Sequence, residues 1–233
     1  THPNAELQRA VDTRIAALRS AAPGNSNRGF EVAATYFHVT GKRDLVDPAI
    51  ESADALIENF RANDPPFSGG ERDAVNALAL YGVTGDRRHL DLARHYLDIR
   101  GRADSVGRSR HNQSHMMTRD MDEAVGHAVN CVTLMLSLLD YGVLSGDRRY
   151  SDAAQRMWRD AVLGKMYVIG GVGSTGNEGF AEPYCVPNIS SYAETCAVLM
   201  FITLNQRLFQ ATGDAKYIDV MERGLYNNLL SGV

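Results

Sequence analysis

Cysteine is scarce: the 233 residues hold three, Cys131, Cys185 and Cys196, far apart in the chain. An odd, widely spaced set excludes a disulfide framework and suits buried thiols or a metal ligand better. Basic runs are missing as well. Lys and Arg number 24 against 28 Asp and Glu, a formal charge of −4, so the chain has no electrostatic footprint for nucleic acid. No uninterrupted apolar run approaches the ~18 residues of a bilayer span, and no membrane segment is expected. The first residues, Thr1-His2-Pro3-Asn4-Ala5-Glu6, offer neither a basic stretch nor an apolar core. No signal peptide is visible, which favours the cytoplasm while leaving the compartment open. Strand-forming stretches are few, and Met166-Tyr167-Val168-Ile169 reads as a short one. What remains is 44% apolar and 22% charged, as in ordinary globular domains, and long enough to bury a substantial core.

A corner recurs four times: Thr40-Gly41-Lys42-Arg43, Thr84-Gly85-Asp86-Arg87, Ser145-Gly146-Asp147-Arg148 and Thr212-Gly213-Asp214-Ala215. Glycine ends one helix in the left-handed conformation, and Asp86, Asp147 and Asp214 are placed to cap the next. The helices on either side differ. Val125, Val129, Val132, Leu136 and Leu139 are spaced for a helix face, and Ala128, Leu134, Met135 and Leu138 make it apolar nearly all round, as in a buried helix. Past the corner, Tyr150, Ala154, Met157 and Ala161 form only a stripe. The contrast returns with Ala197, Met200, Phe201, Leu204 and Leu208, then Tyr217, Val220, Met221 and Leu225. Inner helices alternating with outer ones predict an all-α fold, an (α/α)6 toroid incomplete in this chain. About four hairpins and a glycine-rich loop are expected, with both ends reading as cuts through a larger architecture.

Residues 170–190 break the rhythm. Gly170, Gly171, Gly173, Gly176 and Gly179 exclude a helix interior, and a long loop between buried helices is a functional candidate. It has neither the Lys-Ser/Thr ending of a P-loop nor the strand and helix of a dinucleotide fold. Glu178 lies among these glycines, where a shielded carboxyl with a raised pKa would serve as an acid; the plain alternative is a solvated loop glutamate. Glu194 and Cys196, two apart at a helix start, can converge on one metal, or Cys196 is simply a small packed residue. Cys185 is a further metal candidate or a loop-packing thiol. His127 reads as sitting on an apolar helix, where a lone histidine is ordinarily a hydrogen-bonded core residue, beside Gly126, which permits close backbone approach. His111, Asn112, Gln113, Ser114 and His115 form a polar cluster; His115 either lines a sugar site or occupies a surface loop, and His111 belongs on the surface. Tyr167, Phe180, Tyr184 and Tyr192 are aromatic candidates for stacking or for anchoring the loop.

The stretches Ala124-Val125-Gly126-His127-Ala128-Val129, Lys165-Met166-Tyr167-Val168-Ile169-Gly170-Gly171-Val172-Gly173-Ser174, Glu178-Gly179-Phe180, Pro187-Asn188, Tyr192-Ala193-Glu194-Thr195-Cys196-Ala197 and Met221-Glu222-Arg223-Gly224-Leu225-Tyr226-Asn227 resemble glycoside hydrolase family 127, the β-L-arabinofuranosidases. The resemblance runs in order from about residue 25 to the last residue. It implies a catalytic-domain fragment spanning 1–233, with β-sandwich parts elsewhere. It implies a retaining hydrolase of non-reducing L-arabinofuranosyl groups, a carbohydrate substrate and possible homo-oligomers. Such an enzyme uses a zinc-bound cysteine thiolate as nucleophile, through a thioglycosyl intermediate. Carried over, Glu178 matches the general acid/base, Glu194 and Cys196 match zinc ligands, and His127 matches a sugar-contacting histidine; His115 and Tyr192 join it as substrate-binding candidates. The family's adjacent cysteines have no counterpart here, so nucleophile and fourth ligand are expected outside this chain. Two further family histidines fall at Arg28 and Gly70, and Cys185 stands where an acidic residue is common. Rival functions are an α/α-barrel sugar epimerase or isomerase, which needs facing histidines such as His115 and His127, and a non-catalytic carbohydrate-binding protein.

Overall fold

The computed structural model describes residues 4–20, 29–67, 70, 72–105 and 107–232. Its regular structure is almost wholly helical: α1 Ala5–Ser20, α2 Phe30–Thr40, α3 Val46–Asn63, α4 Asp73–Thr84, α5 Arg87–Ile99, α6 Ala128–Ser145, α7 Arg148–Asp160, α8 Thr195–Thr212 and α9 Lys216–Arg223. Two-residue strands, β1 Gly126–His127 and β2 Gly179–Phe180, pair antiparallel. The all-α class read from the sequence is the observed one. The strand expected at residues 166–169 is not found. Tyr167 opens a turn there, its N–H donating to Gly171 O at 2.9 Å and its carbonyl accepting from Gly170 at 2.8 Å. Val168 is 89% exposed; a β-branched pair with no neighbouring strand cannot form a ladder.

The repeated corners work as the sequence implied. Gly41, Gly85, Gly146 and Gly213 hold φ of 71°, 64°, 76° and 72°, the left-handed helix stop. The hydroxyls of Thr84, Ser145 and Thr212 accept the N–H of Asp86, Asp147 and Asp214. Those carboxylates cap the N–H of Arg88, Arg149 and Lys216 at 2.9, 3.2 and 3.1 Å. Each cap stabilises its helix by about 1 kcal/mol. The first corner lacks the aspartate, and α3 begins only at Val46, behind Leu45, with no side-chain cap.

The chain forms two compact units, Thr1–Pro65 with Asn76–Ala93, and Pro66–Val75 with Arg94–Val233. In the first, α2 packs on α3, the Glu31 N–H donates to Asn76 Oδ1 at 3.2 Å, and buried His89 places Nδ1 2.8 Å from the Thr84 hydroxyl.

In the second unit α6 is central, packed by α7 and α8, with α9 on α8. From Cys131 through Leu139 each α6 residue is buried. Each large apolar side chain so placed contributes roughly 1.5–3 kcal/mol. By length and composition alone α6 could also cross a membrane. Gly142 brings α7 close: a Cβ there would lie 2.5 Å from Ser151 N, so the glycine's helix penalty of about 1 kcal/mol is offset by tight packing. Tyr150 meets the Tyr141 ring edge-on at 4.7 Å. Trp158 meets Tyr217 at 4.6 Å and donates its indole N–H to Asn205 at 2.8 Å, tying α7 to α8 and α9. Helix α7 widens into a π-helical turn, Ala161–Lys165, which carries Lys165 into the interior.

Candidate active site

The functional candidates lie at one end of α6, where β1, the glycine loop and the start of α8 meet. The turn at residues 175–179 is closed by Thr175 N–H to Gly179 O at 3.1 Å and Glu178 N–H to Thr175 O at 3.0 Å. So tight a turn holds Glu178 at φ 64°, a left-handed conformation that costs roughly 1 kcal/mol or more in a residue with a Cβ. Strand pairing then lays Gly179 opposite His127, and Ala128 N–H donates to Glu178 O at 2.7 Å. Glu178 and His127 are therefore fixed to each other through the backbone.

His127 was expected on a helix; it stands one residue before α6, as its N-cap, with φ −56° and ψ 122°. Gly126, at φ 69°, turns the chain off the helical path. A Cβ on Gly126 would lie 2.2 Å from Arg110 O, the close approach its sequence suggested. Capping orients the imidazole. Nδ1 accepts the Asn130 N–H at 3.4 Å, so the ring proton sits on Nε2. Nε2 then donates to Glu178 Oε2 at 2.7 Å. Tyr192 donates its hydroxyl to the other oxygen, Oε1, at 3.0 Å.

This geometry corrects the expectation of a raised Glu178 pKa. The Tyr192 hydroxyl and then the His127 imidazole, both bonded to the charged form, hold the carboxyl below its usual range. Burial is too slight to oppose them, since the side chain is 41% exposed. The reverse effect falls on Tyr192, whose hydroxyl is pushed up to about 12 by its bond to Glu178, by burial and, least, by the Glu194 carboxylate nearby.

Glu194 and Cys196 are brought together. Glu194 is the N-cap of α8, extended at φ −67° and ψ 150°, and from there its Oε1 meets Cys196 Sγ in the first turn. Partial burial and the Glu194 carboxylate push the Cys196 thiol up to about 11. A carboxylate oxygen and a sulfur at one point fit half of a tetrahedral zinc site. No third donor joins them among the described residues. Cys185 is exposed, and its carbonyl accepts from Ser174 Oγ at 3.1 Å.

His115 is not part of this group. Its Nδ1 is buried without a partner, and burial, then Arg110, hold its imidazole below the usual range. The histidine beside His127 is His111, its ring edge-on at 5.9 Å. It is exposed, as its loop position implied, yet its carbonyl accepts the His127 N–H at 3.0 Å. The polar cluster carried that signal; which member faced inward depended on the turn. Arg28 lies outside the described residues. Gly70, at φ 111°, accepts from Arg100 Nη2 at 3.2 Å.

Residues 25–233 match the family described as β-L-arabinofuranosidase, GH127 catalytic domain. The chain belongs to this family. A non-reducing end β-L-arabinofuranosidase of Bifidobacterium longum subsp. longum is 31% identical over 226 residues, covering 87% of this chain and 34% of that protein. A solved GH127 β-arabinofuranosidase superposes with a TM-score of 0.82 at 37% identity, over 89% of this chain and 33% of its own. The GH127 β-L-arabinofuranosidase of Geobacillus stearothermophilus T6 gives 0.78 at 31% identity, over 89% and 36%. Within the family, then, this chain spans about a third of the length of its relatives.

Proposed function

We propose that this chain is part of the catalytic domain of a retaining glycoside hydrolase acting on L-arabinofuranosides or a closely related sugar. The observation that supports this best is Tyr192, bonded to Glu178 and within reach of Glu194, so that a proton-transfer carboxyl and a candidate metal pair share one site. The names of the relatives supply the sugar class.

Glu178 gives a proton to the departing glycosidic oxygen and then takes one from water. Its Oε1 is the oxygen for this work. An entering glycoside displaces the Tyr192 hydroxyl there, removing the largest influence that favours the charged form. His127 keeps Oε2 fixed and faces the glycone. Glu194 and Cys196 are the residues that would hold zinc, with further donors from outside residues 1–233. Bound zinc keeps thiolate sulfur deprotonated at neutral pH. The nucleophile in this scheme is a cysteine outside the chain.

Glu178→Gln in the full-length protein tests the assignment. Hydrolysis of an arabinofuranoside with a poor leaving group is expected to fall about 10²–10⁴-fold, with the thermal midpoint unchanged. Unaltered turnover on that substrate removes Glu178 from the role.

A further inference from the structure

Gln113 carries two unfavourable features at once. It is fully buried, at φ 55° in the left-handed region, and its Oε1 is buried with no hydrogen-bond partner. Backbone strain and an orphaned acceptor in one residue point to a constraint beyond packing. What both secure is the place of the amide nitrogen. Nε2 donates to His111 O at 2.9 Å and to Val125 O at 2.8 Å. An amide NH₂ has two hydrogens, and both are used to join the loop of His111 to the strand of His127. His111 O is the shared acceptor, since it also takes the His127 N–H.

The neighbouring peptides are held as well. The Ala124 N–H donates to Asp160 Oδ2, and Ala124 O accepts from Lys165 Nζ, both at 2.8 Å. Gly126 pairs with Phe180 across the strands, and Ala128 N–H donates to Glu178 O. Residues 124–128 thus form a fixed track that ends on Glu178. We propose that Gln113 is a positioning residue, its amide holding His111 and Val125 so that His127 Nε2 stays on Glu178 Oε2. The role rests on Glu178 being the acid/base. Besides His127, the groups around Glu178 are Tyr192, bonded to it, and His111, farther off.

The test uses Gln113→Met in the full-length protein, which keeps the volume and removes both donors. The value of kcat on an aryl arabinofuranoside is expected to fall about 10-fold or more, with KM within about 2-fold. The alkaline limb of the pH–rate profile, assigned to Glu178 by its disappearance in Glu178→Gln, is expected to move up, because the carboxylate loses a donor. In ¹⁵N spectra of histidine-labelled protein, the single Nε2–H tautomer of His127 is expected to give way to a mixture. Packing loss alone lowers the active fraction and moves neither limb nor ring resonance. Wild-type kcat, limb and His127 resonances in Gln113→Met overturn the proposal. If that variant does not fold, Gln113→Glu, which sets acceptors where the donors stood, carries the same three readouts. Should the wild type hydrolyse no arabinofuranoside, the enzymatic role of Glu178 fails, while the His127 resonances still decide whether Gln113 sets the ring.

Discussion

At the scale of single residues, the site turns on which atoms donate to Glu178. Two donors to the charged form outweigh weak burial, so the carboxyl is held low. Removing one must raise it. Tyr192→Phe takes away the larger influence, and the acid form then persists to higher pH. The alkaline limb of hydrolysis is expected to shift upward in Tyr192→Phe, measured as kcat/KM against pH. A limb that stays put or moves down contradicts the bond as a control on the acid. Glu178 itself was legible as a candidate in the sequence, because glycines surround it. Its electrostatic state was not, because the donors arrive from positions 51 residues before and 14 residues after it.

At the scale of elements, the π-helical end of α7 does what a straight helix end could not. It places Lys165, 3% exposed, against Asp160 at 2.8 Å, and the pair takes up both polar groups of Ala124. Lys165→Met would leave Asp160 and the Ala124 carbonyl without their partner. Breaking a buried pair from one side costs roughly 3–5 kcal/mol, so a matching loss of unfolding free energy in urea is expected. Lys165→Met with Asp160→Asn should recover part of it, since no uncompensated charge remains. A single variant as stable as wild type would remove the pair from its anchoring role. The helix corners were readable in advance because each is local: a hydroxyl and a glycine side by side, joined in three of the four by an aspartate within four residues. The pair was not readable, because a lysine after an amphipathic helix is ordinarily solvated.

At the scale of the whole molecule, the candidate metal pair bears on composition beyond these 233 residues. Glu194 and Cys196 supply two donors, and a structural tetrahedral site needs four. The full-length protein is expected to bind about one zinc per chain by metal analysis, and residues 1–233 alone far less. Cys196→Ser in the full-length protein should lower occupancy; full occupancy there rules the thiol out as a ligand.

Periodicity and corner chemistry determined the helices, their buried or striped character, and the loop that would carry function. These depend on neighbours three or four residues apart, which the sequence states outright. The motifs also named Glu178, His127, Glu194 and Cys196 as candidates. Only the tertiary structure decided that His127 caps α6 rather than lying within it, that His111 and not His115 adjoins it, and that the Glu178 carboxyl is held below its usual range. Those outcomes depend on a positive φ at Gly126 and on hydrogen bonds between distant segments, which no local pattern encodes.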